Sequence, residues 1–384
     1  MDRARGMLLL AAYGDAFGAV READGLKGEA GDPDDLKRLP NASLFYGGEG
    51  MAWNVWAPSE LVSGRVGVVT DDTEYRHLVL EPYLRDCLRR GEGYSTAGWL
   101  GWLKSLAVSP SSDAWLGLQR SQHASDWLAM HAGHREEQSA VFYQPNRPTC
   151  FGLFEHAHLG VLASLSDNLT GHETVAFFSQ INPLDHGHAK LVTGLWACFV
   201  SKAVRIQSDD VTALINRCAA DISGAYARQH PSIQQASDLA QTCYTRTTGN
   251  RDSEFVESFS ETVYQAELPY LNPKPADRNF DPLYMWMQLV ACSARARSMS
   301  HMLTLLAALP GDTDTVASLA GLIAGAATGY KKLMEDQDEG FVDDLRSVEA
   351  YCSEVFGIDF AASATLLYEV AQADVLRLRD RSAT

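Results

Sequence analysis

The sequence predicts an all-α protein, a single domain of many orthogonally packed helices. Nearly every segment with a clear apolar period repeats at the spacing of one helix face. Strands alternating with helices, the mark of a parallel sheet, do not occur. No glycine-rich phosphate loop follows a strand into a helix. At most a short hairpin is expected in the 44–69 region.

Residues 1–22 read as the first helix, with Met7 to Ala11 as a broad apolar face. Asp15 falls near its end, where the helix dipole disfavours negative charge unless a metal or a set of donors compensates. From Asp24 to Gly67 the chain is polar and turn-rich, with short strands expected near 44–46 and 66–69. Trp53 and Trp56 in this stretch are assigned to packing, with stacking on a ligand as the other role. Thr73 to Arg89 reads as a helix that Pro82 kinks or splits, and 96–106 as another. His123, His131 and His134 lie at spacings that match no zinc pattern.

Further helices are expected at 159–165, 175–181, 189–204, 211–228, 232–245 and 252–267. The proline-rich stretch 269–282 reads as an extended connection. A long helix or helix pair then runs from Leu283 to Leu309 and stops at Pro310. In the run that follows, Gly321, Gly325 and Gly329 recur every four residues, a ridge that lets helices approach closely. The tail 335–384 begins acidic and resumes as an amphipathic helix over 360–378, packed on the bundle or offered to a partner.

One unit over residues 1–384 is expected, since no low-complexity tract divides the chain. With 46% hydrophobic residues it can bury a sizeable core. A net charge of −17 argues against nucleic acid and anionic membrane, both of which would be repelled. The first helix is too short and too soon interrupted by Asp15 to be a signal or a membrane span. Seven scattered cysteines without a Cys-x-x-Cys favour a reducing cytoplasm over a disulfide framework or zinc site.

The chemistry concentrates in two stretches, Thr70-Asp71-Asp72-Thr73 and Gly311-Asp312-Thr313-Asp314-Thr315. Each is also a good helix N-cap sequence, and singly a cap is the commoner explanation. Together they offer four carboxylates and four hydroxyls, the hard oxygen donors that Mg2+ and Mn2+ select. Four buried carboxylates repel one another strongly unless ions or protons neutralise them. A third acidic signature, Gly14-Asp15-Ala16-Phe17-Gly18 followed by Glu22, joins them.

In order and approximate spacing these three stretches resemble the ADP-ribosylglycohydrolase family, over roughly residues 6–332. The resemblance implies the same all-α fold and hydrolysis of an ADP-ribosyl bond at the distal ribose. It implies two divalent ions, Mg2+ or Mn2+, held by Thr70, Asp71, Asp72, Asp312, Asp314 and Thr315. Glu22, Asp72 and Asp314 are the implied catalytic residues. Asp15, Gly152 and His186 are placed at the substrate site, Asp15 by orienting ligands.

The implied partner is ADP-ribosylated protein or ADP-ribose. The chain departs from the family at 146–155, where a Gly-Asn-Gly and Met-Arg turn is replaced and Glu155 stands in the arginine's place. That change, the acidic charge and the extra tail speak for the alternative, an immunity-type protein that occludes an ADP-ribosyltransferase, and the full set of metal ligands speaks for activity.

Overall fold

In the computed structural model the chain is a succession of helices: α1 (Asp2–Gly18), α2 (Asp71–Tyr75), α3 (Glu81–Arg89), α4 (Phe151–His156), α5 (His188–Arg205), α6 (Val211–Tyr226) and α7 (Pro231–Arg246). After these come α8 (Asp252–Phe259), α9 (Pro282–Arg295), α10 (Met299–Ala308), α11 (Thr313–Thr328), α12 (Glu339–Phe356) and α13 (Phe360–Arg381). The structure describes residues 1–38, 55, 57, 59–92, 94, 95, 98, 99, 101, 102, 105, 150–164, 174, 175, 188–206, 210–226, 230–247, 249, 251–335 and 339–381. Among the described residues no strand forms, and no helix is long and apolar enough to cross a membrane.

The core is organised by α1 and α11. Both are buried on nearly every face, as expected of helices that are apolar all round. They run antiparallel in close backbone contact, because glycines on each helix face carbonyls of the other. A Cβ on Gly325 would stand 2.2 Å from the Gly6 carbonyl oxygen, and one on Gly321 2.2 Å from that of Leu10. From the other side, Gly14 and Gly18 meet the carbonyls of Ala317 and Thr313, each at 2.2 Å. The expected ridge on α11 is therefore one half of a reciprocal seam. This seam brings the end of α1, with Asp15, to the start of α11, with Asp312 and Asp314.

Pro82 splits its helix as expected, through a π turn at Arg76–Leu80 in which the Glu81 amide reaches back to Arg76. A proline cannot donate to the ladder, and the wider turn places it at the head of α3. A second π turn, Ser260–Tyr264, closes the segment begun by α8. The region 283–309 is a helix pair, and the connection before it includes a 3₁₀ turn, Pro275–Arg278.

The first helix ends at Gly18, short of residue 22, and Glu22 opens a separate turn, Glu22–Gly25. No strand forms at 66–69, where only Ser63 and Val66 make isolated bridges. The acidic start of the tail contains a full helix, α12, which buries Phe341, Val342, Leu345 and Val348. The expectations for 44–46, Trp53, Trp56, His123, His131 and His134 lie outside the described residues, as does most of 175–181.

The C-terminal helix packs on the bundle. His77 Nδ1 lies 2.6 Å from Glu81 Oε1 and 3.3 Å from Ser363 Oγ, and Phe360 meets the His77 ring edge-on. All seven cysteines are free and buried.

Candidate metal centre

The three acidic stretches converge, and backbone contacts fasten them together. The Gly311 amide donates to the Gly25 carbonyl at 2.9 Å, joining the Glu22 turn to the Gly311 turn. Thr313 Oγ1 donates to the Gly18 carbonyl at 2.8 Å. Below the turn, Tyr284 Oη and Gln288 Nε2 both donate to the Pro310 carbonyl, at 2.7 and 3.1 Å. Gly311 has φ +122°, a conformation that side-chain-bearing residues rarely adopt.

Asp15 holds the Thr70 segment. Its carboxylate accepts from the Thr70 amide at 3.0 Å, the Thr70 hydroxyl at 2.6 Å and the Thr73 amide at 3.0 Å. The side chain that satisfies the first amides of α2 thus comes from α1, and Thr70 itself makes no side-chain cap bond. These donors answer the dipole penalty expected for Asp15. Asp15 is fully buried, with both carboxylate oxygens engaged by these donors.

Around this frame stand two overlapping groups of carboxylates. Glu22, Asp312 and Asp314 form one, and Asp71, Asp72 and Asp314 the other. Within each group the candidate ligand atoms all lie within 4.8 Å of one another. Asp314 belongs to both. Thr70 Oγ1 also lies 3.0 Å from Asp314 Oδ2, while Thr315 Oγ1 donates to Asp72 Oδ2 at 2.8 Å. Asp71 alone among these acids is half-buried, so the group opens to solvent on its side.

The charge balance calls for cations. Six carboxylates (Asp15, Glu22, Asp71, Asp72, Asp312 and Asp314) stand with one buried guanidinium, Arg76, 3.2 Å from Asp72. Fully ionised, that set is five charges short of neutrality, and two divalent ions reduce the shortfall to one. Burial, followed by the neighbouring acids, pushes Glu22, Asp71 and Asp312 well above the ordinary carboxylate range. Asp72 is raised mainly by burial, partly offset by Arg76, and Asp15 is lifted to about 6 by burial and then Asp314. An all-oxygen donor set with this deficit fits hard divalent cations.

Gly152 lies buried in the first turn of α4. Next to that helix, the Cys150 thiol meets Asp312 Oδ2 at 3.6 Å. Glu155 is fully buried beside His156, with its oxygen 3.2 Å from His156 Nδ1, and burial raises it well above its ordinary range. His186 lies outside the described residues. Two residues on, His188 Nε2 meets the buried Asp281 Oδ1 at 2.8 Å.

Sequence reasoning missed Cys150 and Arg76. Arg76 could have been found from its place four residues after Asp72, the spacing of helical ion pairs.

The fold and the site together define an all-α protein with a buried acidic centre suited to divalent ions. The chain belongs to the ADP-ribosylglycohydrolase family, whose profile matches residues 1–361. That family is generally hydrolytic, and its members are typically dependent on divalent metal. A solved structure described as an ADP-ribosylglycohydrolase-related protein complex is similar over 97% of this chain and 98% of its own, with a TM-score of 0.51. At 16% identity that likeness concerns the fold. No curated protein matches.

Proposed function

We propose that this protein removes ADP-ribose from modified protein by hydrolysing the bond at the anomeric carbon of the distal ribose. The observation that carries the reading is Asp314 shared between two carboxylate groups, on the motif order of a hydrolase family. The immunity-type alternative gains no support from the comparisons.

Thr70, Asp71, Asp72, Asp312, Asp314 and Thr315 would hold two divalent ions, Mg2+ or Mn2+. When bound, such ions polarise substrate oxygens and lower the pKa of water. The chain's own part is orientation and proton handling. Asp15 fixes Thr70, and Thr315 fixes Asp72. Glu22, at the edge of the centre, is proposed to handle the proton of the attacking water or the leaving group. Gly152 and His186 are proposed to line the ADP-ribose pocket. An arginine-linked conjugate is the proposed substrate, since the replaced 146–155 segment suits an unusual target.

Hydrolysis of arginine- and serine-ADP-ribosylated peptides, with and without EDTA, tests this directly. Release of ADP-ribose from the arginine conjugate that EDTA abolishes is expected. Turnover of the serine conjugate alone would overturn the linkage, and no turnover of either would overturn the hydrolase reading.

A further inference from the structure

Arg76 sits fully buried in the π turn, and each of its three guanidinium nitrogens serves a different part of the chain. Nη2 donates to Asp72 Oδ1 at 3.2 Å, Nε to the Phe154 carbonyl at 2.9 Å and Nη1 to Ser318 Oγ at 2.9 Å. The other oxygen of Asp72 is held by Thr315 at 2.8 Å. Asp72 is therefore gripped at both oxygens, which fixes the directions left for a cation. Phe154 belongs to α4, inside the segment that replaces the family's usual turn. Ser318 lies one helical turn beyond Asp314.

We propose that Arg76 is a positioning residue, a buried clamp that sets Asp72 for ion binding and holds α4 against it. Ion occupancy and the placement of α4 are then coupled through one side chain. The proposal rests on the metal-centre reading given above. A guanidinium suits this task because its planar fork reaches several acceptors at fixed angles, whereas an ammonium is a compact point charge on a flexible stem. A cation needed only to offset negative charge requires no such geometry. The two roles predict opposite effects. Deleting a positive charge beside a cation site tightens ion binding, and deleting a clamp weakens it.

Titration calorimetry with Mg2+ on the wild type, Arg76→Lys, Arg76→Met and Ser318→Ala separates them. Hydrogen exchange of the 151–156 amides, with and without Mg2+, is read in parallel. Both Arg76 variants are expected to weaken Mg2+ binding about 10–100-fold, the usual loss for a residue that orients a ligand. In the wild type, Mg2+ should increase protection of 151–156, and both Arg76 variants should lose that response. Ser318→Ala, which leaves the contacts to Asp72 intact, should show a smaller loss of each.

If Arg76→Met does not fold, Arg76→Lys and Ser318→Ala carry the test. Tighter or unchanged Mg2+ binding in Arg76→Met, wild-type behaviour in Arg76→Lys, or 151–156 protection indifferent to Mg2+ overturns the clamp while leaving the metal centre standing. A wild type that binds no Mg2+ overturns both.

Discussion

Thr315 donates its hydroxyl to Asp72 Oδ2 at 2.8 Å across 243 residues of chain. That bond joins the two aspartate motifs, each of which alone would pass for a helix cap. Thr315 opens the helix whose glycines lock against α1, so ligand geometry is set by the core packing itself.

The shared position of Asp314 has a stoichiometric consequence. Asp312 belongs to one carboxylate group, Asp71 to the other, and Asp314 to both. In calorimetry with Mg2+, Asp312→Asn and Asp71→Asn are each expected to lose one of two binding events, and Asp314→Asn both. Equal behaviour of the three variants would contradict two overlapping sites.

Stability of the metal-free protein should fall as pH rises. Asp15 stands at about 6 against an ordinary 3.8, so between those values the native state keeps a proton that the unfolded chain has lost. The stabilisation is full below 3.8 and gone above about 6. Asp15 alone accounts for up to about 3 kcal/mol at about 1.4 kcal/mol per pKa unit. Glu22, Asp71, Asp72 and Asp312 shift in the same direction, while His158 and His301, lowered by burial from 6.5, oppose it below that value. For Asp252, burial is outweighed by bonds from His301, Arg295 and Lys37, which hold it at about 2, so it adds the opposite slope only below 3.8. Thermal melts in EDTA are expected to show a higher Tm near about pH 5 than near about pH 7.5, and Mg2+ should narrow the gap. A melt rising with pH over that window would refute the charge balance drawn for the site.

At the seam between α1 and α11 the sign of a mutation is decided by space. Alanine in a helix interior is favoured over glycine by about 1 kcal/mol. On Gly321 its Cβ would meet the Leu10 carbonyl at 2.2 Å, backbone that cannot rotate aside. Overpacking of this kind costs typically about 1–3 kcal/mol. Gly321→Ala should therefore be destabilised in urea titration, and Mg2+ binding should weaken with it as α11 shifts. A stabilised variant would show that the helices stand further apart.

Glu22 is 3% exposed and stands beside Asp314, Asp71 and Asp72. Glu22→Gln should leave the metal-free fold as stable or more so, because it removes a repelled carboxylate. Turnover should fall on the order of 10²-fold, the scale of a lost proton-transfer group. Wild-type turnover in this variant would reduce Glu22 to a spectator.

The acidic motifs were legible because each is contiguous and its chemistry is written in adjacent side chains. The long helices were legible for a similar reason, since an apolar period is a local signal. What escaped is non-local. Gly14 and Gly18 were read only as part of a site motif, and nothing nearby in the sequence announces that they face Ala317 and Thr313. Arg76 hid among Tyr75, Leu78 and Val79, where a charge reads as an exposed face until the acceptors from α4 and α11 are in place. The acidic content of 335–350 masked the Phe341, Val342 and Leu345 stripe of α12, all buried.

The glycine seam also fixes when this chain can fold during its synthesis. Gly6 meets Gly325, so 319 residues (325 − 6) separate two backbones that must touch. At roughly 5–20 residues per second, α1 leaves the ribosome about 15–65 s before its partner exists. For that interval a helix that is buried on nearly every face of the native protein has no seam to enter. Its apolar surface must be sheltered by transient contacts or by a chaperone until α11 has been made.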